Sequence, residues 1–473
     1  MRKVVFISFI ISLFLFPEQI RAQVADSSFV LKEQDYLELV LANHPLAKKA
    51  ENLVEYGEFS VLAAKGGFDP YLFSKNKQKY YENKNYYLLS NSGVSLPTRL
   101  GISVQAGYDW NEGEYINPEN NLPETGLWYA GISVPVLQGL LFDENREALQ
   151  KAFVDRKYYE NEAQLLLNNV LLEASNYYWT WVQKQYQKSI IEEAYAFAET
   201  NFKNYKTAYE QGDKPAIDTL EAYIQLQNFS VQRQQLSNEL ESARLTLFTY
   251  LWEESISPLE EQSLRAPSFE NISINHLDSL RTNLPLFVED HPELRKYDLK
   301  INKLQVENRM KREKLKPKLD LSYNILQTPS TSFSEIRGLD NYNWGLSFSF
   351  PLFLRSERGA LKMNNIKLEN TNYEYQQKRL SIKNKARQYE FAFKNITDQL
   401  NTYESVVTQY KRLLKAELRK FEIGESSIFL INYRQQSLVS AEMKLIELKA
   451  KYNMYYRQWL HSLGAKPELW MAQ

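Results

Sequence analysis

The side chains best able to do chemistry here are few. His44, His276, His291 and His461 are the only imidazoles, and there is no cysteine at all. Thiol nucleophiles, thiolate metal sites and disulfides are therefore excluded. No His-x-x-x-His pair, glycine-rich phosphate loop or nucleophile elbow occurs. His44 and His291 each precede a proline, Pro45 and Pro292, and this reads as entry into a helix rather than ligation. The carboxylate pairs Glu192–Glu193 and Glu253–Glu254 read as solvated charge on helices or helix ends. These residues assemble no catalytic, cofactor or metal site, so the expectation is a protein that is not an enzyme.

The informative side chains are apolar and aromatic, and their spacing is what matters. In 343–353, NWGLSFSFPLF, Trp344, Leu346, Phe348 and Phe350 alternate with small polar residues. Trp128, Ile132 and Val134 alternate likewise in WYAGISVPVL. Similar alternation runs through 99–110 and 318–325. Such strands have two faces suited to two solvents, and these are about the 9–11 residues of a tilted membrane strand. A soluble sheet packed on one face would show the same alternation. The connecting stretches NEGEYINPENNLPETG and QTPSTSFSEIRGLDN are polar, like external loops.

The chain begins MRKVVFISFIISLFLFPEQIRAQ: a basic end, a short apolar core and a polar exit. This is a secretory signal layout with cleavage expected after Ala22. The apolar core falls short of the ~20 residues a helix needs to cross a bilayer. Lys plus Arg (57) nearly balances Asp plus Glu (58), so no basic excess points to nucleic acid. Tyrosine (32) and phenylalanine (24) are abundant, which fits wide aromatic faces.

The same order of features is written twice. NHPLAKKA (43–50) corresponds to DHPELRKY (290–297), Trp128 to Trp344, and Pro135 to Pro351. EQGDKPAIDTLEA (210–222) corresponds to EIGESSIFLINYR (422–434). A repeat this long implies two copies of one structural unit. After each strand-ending proline comes a long proline-free stretch. Tyr389, Phe393, Ile396, Leu400, Tyr403, Val407, Tyr410 and Leu414 recur at spacings of four and three, the mark of paired, supercoiled helices. A helix of ~70 residues reaches about 100 Å. Gly212 and Gly424 sit where the helices must turn; Asp213 and Ser426, with Ser427, are suitable starters for the return helices.

Together these features resemble the TolC family of outer-membrane efflux conduits. The most specific element is Gly-x-x-x-x-x-Asp-x-Leu-x-Ala at the first tip, matched by Gly212, Asp218, Leu220 and Ala222; the second copy departs from it after Gly424. The resemblance implies a mainly α chain with membrane β, built as a two-fold repeat of strand, long helix and helix. It implies a homotrimer with a 12-stranded β-barrel in outer-membrane lipid, continued by an α-helical barrel across the periplasm. It would be the passive duct of a tripartite system, with a periplasmic adaptor docking near Gly212, Asp213, Asp218, Gly424 and Ser426. An inner-membrane pump of RND or ABC type would supply the energy. Trp128, Ile132, Val134, Trp344, Leu346, Phe348 and Phe350 would face lipid. A periplasmic coiled-coil scaffold or adaptor without a pore is the alternative.

On this frame the chain divides into a signal peptide (1–22), a periplasmic helical segment (23–66), first-repeat strands and outer loop (67–137) and a first coiled-coil hairpin (138–252). An equatorial linker with the second-repeat helix (253–316), second-repeat strands (317–353), a second hairpin (354–463) and a tail (464–473) follow. Four strands per chain would give twelve. The extra strand-like pieces at 70–81 and 86–96 are expected to be an added hairpin or loop, with the barrel unchanged. Where the family commonly carries acidic rings at its periplasmic gate, this sequence has Leu430 and Tyr433. The expectation is an apolar and aromatic constriction that closes by packing and dewetting; simple hairpin packing by the two residues is the other reading.

Overall fold

The structure is a computed structural model that describes residues 30–252, 265–267, 269, 289–329 and 340–471. The signal-like segment, Glu253–Glu254, His276 and most of the polar connection after Gln327 lie outside the described residues.

Helix α1 (Glu33–Asn43) ends at His44, and α2 (Pro45–Lys65) begins at once. The His44 ring accepts a hydrogen bond at its Nδ1 from the Leu46 N–H (3.2 Å). Its repeat partner His291 does the same for Glu293 (3.0 Å) at the start of α5 (Pro292–Glu313). Each imidazole therefore satisfies one of the free N–H groups of a helix start, and proline fills the first helical position, where its missing N–H costs nothing.

The two long stretches are single helices: α3 (Glu144–Glu210), of 67 residues, and α6 (Arg355–Glu422), of 68. Both reach about 100 Å. They return as α4 (Ala216–Leu251) and α7 (Ile428–Ser462). Phe393 and Ile396 of α6 bury against Leu448 and Tyr452 of α7, with the Phe393 and Tyr452 rings 4.6 Å apart. Ile191, Ala194 and Ala198 of α3 bury against Phe229 of α4 and Val439 of α7, so the two hairpins lie side by side.

The largest core gathers at the root of the hairpins. Tyr36, Leu37 and Val40 of α1 meet Val170, Leu171, Tyr178 and Trp181 of α3 and Leu247 and Leu251 of α4. Trp470 joins them from a short closing helix α8 (Pro467–Met471). The expected tail therefore holds a docked helix. Nothing in its local pattern announces that, because its packing partners are distant in sequence.

Between α2 and α3, and between α5 and α6, the chain makes one antiparallel sheet in sequence order: β1 (Tyr71–Tyr81), β2 (Lys84–Pro97), β3 (Ser103–Glu112), β4 (Leu127–Pro135), β5 (Lys318–Gln327) and β6 (Tyr342–Ser349). The sheet has six strands where the alternation had marked four. The added pair, β1 and β2, is a hairpin, and it is hydrogen-bonded into the sheet through β3. Its turn, Glu82 (φ 51°) and Asn83 (φ 60°), has both central residues left-handed, the geometry that matches strand twist. Main-chain pairing and this turn hold β1 and β2 together, and Leu72, Val94 and Leu96 continue the outer face of Val104 and Ala106. β4 ends at Pro135 and β6 stops just before Pro351, residues that cannot donate to a ladder. Among the described residues, no helix is long and apolar enough to cross a membrane.

Candidate functional sites: a two-faced sheet and paired hairpin tips

Strand register collects the alternating side chains. Ile132 is opposite Tyr323, which is opposite Trp344; Val134 is opposite Leu321, which is opposite Leu346; Leu319 is opposite Phe348. Trp128 packs its ring on Tyr108 of β3 at 5.0 Å. All these side chains lie on one face, and Phe350 follows just past the end of β6. Trp344 is 60% exposed, Phe348 66% and Trp128 53%. A soluble sheet would bury such a face in its own core; this protomer leaves it bare, and a bare apolar patch marks a surface that something covers.

The opposite face is polar and concave. Gln105 of β3 donates to Asn324 of β5 (2.9 Å), reaching over Gly131 of the intervening strand. A Cβ at residue 131 would run into Asn324, so the bridge needs glycine there. Tyr129 lies over Gly107, and its hydroxyl accepts from Asn91 (3.1 Å). A cavity of about 330 Å³ on this face is lined by Phe73, Lys75, Asp109, Tyr129, Asn324 and Asn343, among others. The small and glycine positions of the alternating runs therefore make room for a wet, hydrogen-bonded surface.

At the far end of the molecule the two tips are built alike. Gly212 (φ 80°) and Gly424 (φ 78°) are left-handed. The Gly212 N–H donates to Tyr209 O (2.9 Å) and Asp213 N–H to Ala208 O (2.8 Å). Gly424 and Glu425 repeat the pattern on Phe421 and Lys420 (3.0 and 2.8 Å). This paired closure satisfies carbonyls at the helix end and needs a residue without a Cβ penalty. Of the expected starters, Ser427 caps its helix and Asp213 does not. Asp213 caps nothing, since Pro215 precedes α4 with no side-chain cap. In the second tip Ser427, not Ser426, accepts from the Leu430 N–H (3.4 Å). The Ser426 hydroxyl instead donates to Glu417 (2.6 Å), which also lies 3.5 Å from Arg434. Ser426 and then Arg434 hold the Glu417 carboxyl below its usual range.

Asp218 lies in the first turn of α4, and Glu221 follows one turn later. Burial, then the Asp218 charge, pushes the Glu221 carboxyl up. Tyr433 is 57% exposed, and Leu430, three residues earlier on α7, is half-buried. The structure brings Tyr433 together with Phe429, one turn earlier, and with Ile217, Leu220 and Ile224 of α4 around a groove of about 550 Å³. Leu430 does not line that groove. Phe429 escaped the sequence reading, although its spacing of four from Tyr433 places both on one stripe of a helix.

Among the described residues the histidines join no cluster that could hold a metal ion. His291 is buried, and desolvation lowers its pKa to about 4; burial does the same to His461. His461 hydrogen-bonds to Asn169 (2.8 Å). Among the described residues no group of three or more His, Asp or Glu is placed to hold a metal ion.

The described chain is a two-faced antiparallel sheet mounted on ~100 Å helical hairpins. Residues 284–464 match the family model of the outer membrane efflux protein. The chain is similar in structure to the CmeC outer membrane channel of Campylobacter jejuni (TM-score 0.65, 14% identity, 91% of this chain and 85% of that one). It is similar also to the outer membrane protein VceC of Vibrio cholerae (0.66, 12%, 92% and 96%) and to the open-state MtrE outer membrane channel of Neisseria gonorrhoeae (0.60, 12%, 92% and 89%). No curated protein matches the sequence. Residues 284–464 thus match the outer membrane efflux protein model, and the chain as a whole has the fold of these outer-membrane channels.

Proposed function

We propose that this chain is the protomer of a homotrimeric outer-membrane channel-tunnel, the passive exit duct of a tripartite efflux or secretion system. The observation that carries the reading is the sheet's bare apolar face, directly joined to helices of 67 and 68 residues. Lipid is the solvent that face fits, and water in a lumen fits the other. Strand edges are not tolerated in hydrocarbon, so the sheet must close with other copies. The four strands of the alternating runs, β3 to β6, give twelve in a trimer. The helices continue the bore through the periplasm. The tips around Gly212, Asp213, Asp218, Gly424 and Ser426 are where a periplasmic adaptor docks, and an inner-membrane pump of RND or ABC type drives transport. Tyr433 and Leu430, with Phe429 beside them, narrow the periplasmic end.

A periplasmic scaffold without a pore would leave Trp344 and Phe348 facing water, which the exposed face argues against. Fractionation tests the choice. The duct sediments with the outer membrane and migrates as a heat-resistant trimer; a scaffold is released without detergent.

A further inference from the structure

The concave face of the sheet is uneven in charge. β1 places Lys75, Lys77 and Lys79 on it, opposite Asn91, Leu89 and Tyr87 of β2, while Leu72 of the same strand and its partner Val94 lie on the apolar side. All three lysines are exposed. None of them forms an ion pair among the described residues. Their ammonium groups lie over rings instead. Lys75 is 5.9 Å from the centroid of Phe73, Lys77 5.8 Å from Tyr87 and Lys79 4.6 Å from Tyr86. A ring face attracts a cation without cancelling its charge. Lys84, at the hairpin turn, differs: the Glu114 carboxylate stands 3.8 Å from it.

Acids are scarce on this face. On the six strands it carries Asp109 of β3 and Asp320 of β5. Asp320 lies two residues from Lys318, at the root of the sheet. Asp109 shares the row of Lys75 and accepts from Asn91. Toward the hairpin turn, in the rows of Lys77 and Lys79, register places Leu89, Tyr87 and Asn111, none of them acidic. Alternate residues of a strand stand about 7 Å apart. The lysines are therefore a column of one sign running up the wall.

We propose that Lys75, Lys77 and Lys79 form an anion ladder on the lumen wall, and that the duct passes organic anions in preference to cations. This rests on the duct reading above, which turns the concave face to the lumen. Rings of lysine select anions in a pore, and low-dielectric walls focus the field of such a column. Phe73, Tyr87 and Leu89 lie between the ammonium groups and give the body of a solute an apolar footing. The cargo that fits is an anion with an aromatic or apolar body. Charge on an edge strand also discourages stray pairing. Glutamate would do that as well as lysine, so the sign of the charge separates the two roles.

Full-length trimers in planar bilayers under a potassium chloride gradient test the ladder. The unaltered protein is expected to reverse near the chloride equilibrium potential. Lys75→Glu, Lys77→Glu and Lys79→Glu together are expected to lower the chloride-to-potassium permeability ratio several-fold. Lys75→Arg, Lys77→Arg and Lys79→Arg together are expected to keep it. Should the glutamate protein form no trimers, Lys77→Gln alone is expected to shift the ratio in the same direction. Naphthalenesulfonate added on the hairpin side is expected to block the unaltered protein more strongly than methanesulfonate, and the glutamate protein is expected to escape. A cation-preferring unaltered protein overturns the proposal, as does a ratio untouched by these changes of charge. Naphthalenesulfonate that blocks no better than methanesulfonate also overturns it. If the unaltered protein never conducts, the duct reading itself fails and the ladder falls with it.

Discussion

Arg457 of α7 donates to both carboxylate oxygens of Glu33 at the start of α1, at 3.1 and 2.7 Å, across 424 residues of sequence. Ser175 of α3 donates to the same carboxylate (2.6 Å), and Arg457 also donates to Trp470 O of α8 (3.0 Å). Four helices are thus clamped at the root of the hairpins, with both charged groups buried.

Breaking a buried pair leaves one charge uncompensated, a cost of about 3–5 kcal/mol. Arg457→Met is therefore expected to destabilise by that order, and Arg457→Met combined with Glu33→Gln by clearly less. Denaturant midpoints of the three proteins check the order. Loss of the Trp470 carbonyl bond also predicts faster proteolysis at the C-terminus in both variants.

His291 makes stability depend on pH. Its folded pKa, about 4, lies below the 6.5 of an exposed imidazole because burial disfavours the charged ring. As pH falls, the unfolded chain takes up the proton first. The contribution of neutral His291 is complete above pH 6.5 and is lost as pH drops from 6.5 toward 4, by about 3 kcal/mol at most. His291→Asn keeps a helix-start acceptor and removes the titration. Its stability curve is expected to be flatter over that window, with a residual slope to which His461 and His44, both lowered by burial, contribute.

The two faces of β6 should answer oppositely to charge. Trp344→Lys puts an ammonium on the apolar face, with an expected cost of about 2–4 kcal/mol at mid-membrane. Ser347→Lys, on the polar face opposite Asp320, is expected to be nearly neutral. Trimer yield in the outer membrane distinguishes them; equal yields would count against the assignment of faces.

At the second tip, Leu430→Ala with Tyr433→Ala is expected to raise closed-state conductance several-fold. Because Phe429 shares the Tyr433 groove and Leu430 does not, Phe429→Ala with Tyr433→Ala is expected to raise it more. Divalent cations should block weakly, since no carboxylate occupies those gate positions. Single-channel recording with and without magnesium checks both statements.

Sequence showed the long helices most clearly because their apolar spacing is local and repeated: Phe393, Ile396 and Val407 are buried as the heptad requires. The outer face of β3 to β6 was visible for the same reason, as was the role of His44 and His291 at helix starts. What escaped depends on distant partners or on backbone alone. Glu33 and Arg457 look like ordinary surface charge until the fold brings them together. β1 and β2 alternate poorly because their outer face is mixed, with Leu72, Val94 and Leu96 followed by Ser74, Asn76, Ser90 and Ser92. Of the two serines offered as starters, Ser427, whose backbone is extended, takes the cap. The groove that Phe429 and Tyr433 share with Ile217, Leu220 and Ile224 forms only once α4 lies beside α7.

Planar-bilayer recording of the purified full-length protein tests the central claim most directly. The account predicts discrete conductance steps from heat-resistant trimers, abolished when Trp344→Lys prevents assembly. A water-soluble monomer that never conducts, with Trp344 and Phe348 protected from aqueous quenchers by its own core, would contradict it.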